Sequence, residues 1–178
     1  MRHANRAGVA VAALLLAGLG QAQGSQAVEM HGVTAEGVEE SIGTIALEDT
    51  DHGLLLTPDL EGLPPGVHGF HVHENASCEP RENESGEMTA AGGAGGHYDP
   101  DAAGSHEGPY GDGHLGDLPV LVVNEQGEAT LPVLAPRLSV EDLQERSLMI
   151  HAGGDNYSDE PKPLGGGGSR LACGVIGS

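Results

Sequence analysis

The chain has 178 residues, with 27 acidic side chains against seven basic ones and a formal charge of −20. So acidic a surface is repelled by phosphate, which excludes nucleic acids and anionic membranes as partners. It has 30 glycines, one Phe, three Tyr and no Trp, and helical periodicity is hard to find. Short apolar runs broken by Gly, Pro, Asn and Asp point instead to a folded β protein and not to an acidic disordered chain.

The first 22 residues read as a secretory signal peptide. Arg2 and Arg6 precede an apolar run, Ala7–Leu19, and Gly20-Gln21-Ala22 places small residues where a signal peptidase reads. The run is too short to anchor in a bilayer. Cleavage is expected near Ala22, leaving a single mature domain, 23–178, that is periplasmic or otherwise exported. That domain keeps five basic residues against all 27 acidic ones, a formal charge of −22.

Strands are predicted over Ala27–Val33, Glu39–Glu48, Gly53–Thr57, Gly66–His73, Leu118–Val123, Glu128–Val133, Ser147–Ala152 and Leu171–Ile176. The segment Asn124-Glu125-Gln126-Gly127 reads as a hairpin turn, and Ser139–Arg146 as a short helical turn with Ser139 and Asp142 as a capping pair. Eight short strands make an all-β barrel or sandwich. Two segments, Glu74–Asp117 and Gly153–Arg170, are too long and irregular to be turns, and such loops are usually functional.

Ten histidines are present. His3 lies in the leader, and His31 and His52 are isolated surface residues. His71 and His73 stand two apart in a strand, so alternation points both to one face, as two ligands of one metal require. His68 points to the other face and is read as a support that hydrogen-bonds loop backbone. The first long loop supplies His97, His106, His114 and Asp117, a closed tetrahedral set that zinc accepts. His151, in a distant strand, completes a copper set with His71, His73 and one loop histidine, because imidazole suits both copper and zinc. Seven ligands for two four-coordinate ions leave a shortfall of one, which a shared imidazolate removes. Cys78 and Cys173 are expected to pair in an oxidising compartment.

His-Gly-Phe-His-Val-His-Glu (68–74), Gly-Gly-His-Tyr-Asp-Pro (95–100), Gly-Asp-Gly-His-Leu-Gly-Asp-Leu-Pro (111–119) and Gly-Ser-Arg-Leu-Ala-Cys-Gly-Val-Ile-Gly (168–177) resemble the signatures of the copper/zinc superoxide dismutase family. Met-Ile-His-Ala-Gly-Gly-Asp-Asn (149–156) resembles its bacterial, periplasmic branch. The likeness implies an eight-stranded antiparallel Greek-key β-barrel or sandwich with two long functional loops. It implies copper on His71, His73, His97 and His151, and zinc on His97, His106, His114 and Asp117, with His97 as the bridge. It makes Asp155 a carboxylate linking a copper histidine to a zinc histidine, and Arg170 the arginine at the mouth of the site. His97 and Arg170 would then serve catalysis, and Cys78–Cys173 would tie the metal loop to the last strand. The implied activity is dismutation of superoxide to molecular oxygen and hydrogen peroxide, by a monomer or a homodimer. Glu79, Glu82, Glu84 and Glu87 crowd Arg81 where the family often carries more positive charge. Two rival readings are a periplasmic copper/zinc buffer or donor on the same fold, which would need no anion clamp, and a zinc hydrolase. A hydrolase would need an open zinc position, which four protein ligands do not leave.

Overall fold

The computed structural model describes Met1 and residues 26–177, so the predicted leader beyond Met1 lies outside the described residues. The strands are β1 (Gln26–Val33), β2 (Val38–Thr50), β3 (Gly53–Leu60), β4 (Gly66–His68), β5 (Phe70–His73), β6 (Arg81–Glu82), β7 (Met88–Thr89), β8 (Leu121–Val123), β9 (Val133–Ala135), β10 (Arg146–His151) and β11 (Arg170–Ile176). Seven of them form one sheet in the order β5-β10-β11-β1-β2-β3-β9, β4 pairs with β8, and β6 with β7 makes a small ribbon in the first long loop. Every pairing is antiparallel.

The fold is the expected all-β barrel, with two local departures. The predicted strand Gly66–His73 breaks at Gly69: its first half pairs with β8 and its second with β10. Gly69 bonds sideways, donating to Gly153 O (2.8 Å) and accepting from His151 N (2.9 Å). This corner carries the chain from one sheet to the other. The ring closes through the predicted hairpin, where Asn124 N donates to Glu128 O (2.9 Å), and through a bridge between Ala129 and Leu60 of β3. The predicted strand Glu128–Val133 is the second departure. Pro132 has no N–H to give a ladder, so regular pairing begins only at Val133. The predicted helical turn is a short 3₁₀ turn, Glu141–Leu143, and Asp142 Oδ2 accepts from Ser139 N (2.8 Å) and Ser139 Oγ (2.6 Å).

Alternation fills the barrel. Leu54, Leu56 and Leu60 of β3 point inward with Ile45, Leu47, Val28, Met30, Leu148 and Ile150, all in one core cluster. Each such leucine contributes about 1.5–3 kcal/mol by leaving water. On β5 the alternation separates two environments. Phe70 and Val72 join the core, and His71 and His73 face the other way, yet all four are buried. The first long loop bonds along the edge of β5, Val72 N to Gly116 O (2.8 Å), Tyr98 N to Val72 O (2.8 Å) and Glu74 N to Gly96 O (3.1 Å), and brings the rings of His97 and His106 against His71 on the second face. Cys78 and Cys173 form the expected disulfide, with an S–S distance of 2.00 Å, which fastens that loop to β11.

Candidate metal centre

The site stands where β5, β10 and the two long loops meet. The pairing of β5 with β10 sets His71 opposite Met149 and His73 opposite Ser147. Between β10 and β11 the register shifts at Ile150/His151, so that His151 lies beside Arg170. A shift of this kind re-aims a side chain at the end of a strand. The first loop returns over β5, where His71 bridges to Asp117 and His73 to His97.

Two buried groups of four result, and in each the ligand atoms lie within 4.8 Å of one another. One is His71, His73, His97 and His151; the other is His71, His97, His106 and Asp117. In the first, the Nε2 atoms of His73 and His151 face each other at 3.4 Å. Their opposite nitrogens are held by carbonyls, His73 Nδ1 by Gly95 O (3.0 Å) and His151 Nδ1 by Gly168 O (3.2 Å). Around Asp117, His97 Nδ1 lies 2.9 Å from Oδ1, His106 Nδ1 2.9 Å from Oδ2 and His114 Nδ1 3.5 Å from Oδ1. His114 is thus adjacent to the second group, although that group's tightest set includes His71 instead. His71 Nε2 is already committed, since it donates to Asp155 Oδ2 at 2.7 Å. Asp155 Oδ1 accepts from His106 Nε2 at 2.8 Å, so one carboxylate joins the two groups from behind.

The nitrogens left over identify what the pocket accepts. Nδ1 of His71, of His106 and of His114 are buried without a hydrogen-bond partner. His106 Nδ1 is close to Asp117 yet out of line for a hydrogen bond, so the two atoms converge on a common point. One orphaned buried nitrogen costs about 1–3 kcal/mol, and three side by side are tolerated where a cation takes their lone pairs.

Electrostatics support this. Burial lowers the pKa of His71 to about 4 and of His151 to about 3, and holds His73 well below its ordinary value and His97 below it. The neutral imidazole is the form that binds metal. Burial pulls His106 down too, but the adjacent carboxylates of Asp117 and Asp155 outweigh it and raise His106 to about 9. For both carboxylates burial favours the neutral acid. The neighbouring imidazoles, His106 and His97 beside Asp117 and His106 and His71 beside Asp155, outweigh it and hold both below the usual carboxylate range.

Arg170, half-buried, donates through Nη1 to Ala91 O and through Nη2 to Gly95 O (2.6 Å). Gly95 O therefore joins it to His73. His68 Nδ1 lies 2.8 Å from His151 O and Nε2 2.8 Å from Pro64 O, the backbone support that was expected. His52 is exposed and His31 half-exposed on β1, away from the cluster. Glu79, Glu82, Glu84, Glu87 and Arg81 are all exposed.

Three further residues hold the site and were not singled out in the sequence. Asp159 Oδ2 accepts from His106 N (2.9 Å) and its Oδ1 from Leu164 N (2.9 Å), binding one loop to the other. Tyr157 accepts from Val120 N (3.0 Å), and its ring lies so close to Gly108 that a Cβ there would collide with it. Arg137 reaches four carbonyls of the first loop. Among them only the arginine carries a sequence signal, as one of five cations in an acidic domain.

Comparison with known proteins gives a consistent answer. Residues 41–176 match the family model described as copper/zinc superoxide dismutase (SODC). The chain is 59% identical over 163 residues to a curated Cu-Zn superoxide dismutase of Salmonella typhimurium, covering 91% of this chain and 94% of that protein. Among solved structures it resembles the Cu/Zn superoxide dismutase of Brucella abortus, with a TM-score of 0.84 at 49% identity, covering 86% of this chain and 99% of the other. It also resembles the monomeric copper, zinc superoxide dismutase of Salmonella enterica, with a TM-score of 0.77 at 60% identity and the same coverage.

Proposed function

The chain belongs to the copper/zinc superoxide dismutase family, and we propose that its residues divide the work as follows. His71, His73, His97 and His151 hold copper; His97, His106, His114 and Asp117 hold zinc. His97 is the shared imidazole, because it is the loop histidine that stands in both groups while its Nδ1 faces Asp117. His114 takes the fourth zinc position in preference to His71, whose one free nitrogen, Nδ1, belongs with the copper set. The observation that carries this assignment is the trio of buried, unpartnered nitrogens on His71, His106 and His114.

The reaction converts two superoxide ions and two protons into one molecule of oxygen and one of hydrogen peroxide. Bound copper, alternating between two oxidation states, supplies the electron transfer, and bound zinc supplies fixed charge and geometry. The protein supplies the rest. Arg170 keeps N–H donors beyond the two bonds that anchor it, and it orients the anion by charge-assisted hydrogen bonds. His97 Nε2, the nitrogen not engaged by Asp117, would take a proton whenever it is not held by metal, and would give it up to the forming peroxide. Asp155 fixes the tautomers of His71 and His106 from behind.

The same reading takes residues 1–22 as a signal peptide cleaved near Ala22 and places the mature domain in the periplasm. The Cys78–Cys173 disulfide supports an oxidising compartment. Every ligand comes from one chain, so the chemistry needs no homodimer, although one is compatible with it.

Metal analysis with an activity assay on purified protein tests the proposal. One copper and one zinc per chain are expected, with dismutation lost on copper removal and regained on its return. Dismutation that persists without copper would overturn it.

A further inference from the structure

We propose that Arg137 is a positioning residue for the zinc half of the site, an inference that rests on the zinc assignment above. Arg137 follows β9 by two residues, in a turn closed by Leu138 N to Ala135 O (3.4 Å), and Leu138 is rooted in the barrel core. The side chain therefore projects from a rigid base. It reaches the segment of the first loop that ends at His114. Nε donates to Pro109 O (3.2 Å), Nη1 to Gly113 O (3.0 Å), and Nη2 to Gly108 O (3.3 Å) and His114 O (2.6 Å).

Three features make this more than surface packing. An arginine has five N–H donors in a planar fork, and the bonds here draw on all three guanidinium nitrogens. Among the described residues no carboxylate pairs with Arg137, so its charge is met by carbonyls alone. The bonded carbonyls lie at both ends of the segment 108–114, and one belongs to a proposed zinc ligand.

The segment needs such a hold. Gly108, Gly111 and Gly113 give it wide backbone freedom, and ordering each residue costs about 1–2 kcal/mol of conformational entropy. A metal that had to order the loop would bind more weakly for it. Arg137 orders it through the protein's own bonds, so that His114 Nδ1 is held buried and unpartnered beside Asp117. Asp159 does the same for His106 from the other side, through its backbone N–H. The zinc ligands are thus pinned by their main chains to two different elements.

The test compares zinc affinity of the full chain with that of Arg137→Met, by competition with a chromophoric chelator. It adds the visible spectrum of the zinc site loaded with cobalt(II). Outer partners of metal ligands are worth about tenfold to hundredfold in affinity, and R137M is expected to lose that much and to show an altered cobalt spectrum. Arg137→Lys keeps the charge and stem but only one nitrogen, and is expected to fall between the two; it decides the question if R137M does not fold. A merely structural role would lower the melting temperature of metal-free and zinc-loaded protein alike, with zinc affinity within twofold of the parent and the cobalt spectrum unchanged. That result overturns the inference and leaves the zinc assignment standing. A parent protein that takes up no zinc, or whose zinc affinity survives His114→Ala, sinks both.

Discussion

Replacing Asp155 with Asn removes one oxygen and one charge without changing size. The side chain is wholly buried, and its two oxygens accept from His71 Nε2 (2.7 Å), His106 Nε2 (2.8 Å) and Tyr157 N (2.8 Å). The amide has one acceptor oxygen for two imidazole donors. Whichever way it turns, its NH2 meets a ring N–H, so one histidine must give up its bond or change tautomer. A changed tautomer moves the proton to Nδ1, the nitrogen that the metal needs. In either orientation His106 also loses the carboxylate charge that helps make it a strong donor to metal. A hydrogen bond to a charged group is worth about 1.5–3 kcal/mol, and each 1.4 kcal/mol is tenfold. Zinc affinity is therefore expected to fall about tenfold to hundredfold. Competition against a chelator of known affinity, repeated with copper, measures both halves of the site. A folded D155N protein with zinc and copper affinities within twofold of the parent would refute the reasoning.

Arg170→Ala should lower the dismutation rate constant about tenfold to hundredfold with metal content unchanged, since it deletes a charge-assisted contact with the anion; an unchanged rate would favour a metal store. The net charge, −20 for the chain and −22 without the proposed leader, repels superoxide at long range, so added salt should leave the rate flat or raise it as the distant acids are screened. Stopped-flow rates that fall steeply with salt would show net attraction instead. In metal-free protein, His71 has its folded pKa lowered to about 4, so the unfolded chain takes up protons first. That stability is complete above about pH 6.5 and declines as pH falls through that value toward 4. His106, raised to about 9, works the other way, contributing below about 6.5 and losing its share as pH rises through 9. Urea midpoints should peak near neutrality; a midpoint that rises from pH 6.5 to 5 would contradict this.

The clustered histidines were legible because their chemistry is local in the sequence. Strand alternation puts His71 and His73 on one face, and residue type singles out the loop set, as candidate ligands. The supports were not, because their roles are set by backbone geometry between distant segments. Arg137 touches only carbonyls, which every residue has, and Asp159 is one acid among 27. The strands were legible from β-rich runs, and failed where one residue redirects the chain. Gly69 turns a corner inside what reads as one β-rich run, and Pro132 delays pairing that the residues around it favour. Two-residue strands such as β6 and β7 are too short to leave a periodic signal.

The loop that covers β5 has a consequence for solubility. β5 is the last strand of the seven-stranded sheet, and its outer backbone would be open to pairing with another chain. Gly96, Tyr98 and Gly116 occupy that row instead, and they lie within the segment that carries the ligands. The loop therefore does more than carry the candidate ligands: its own backbone keeps a strand edge closed to intermolecular pairing. A substitution that loosened the loop would uncover that edge and open the chain to self-association before its barrel core had unfolded.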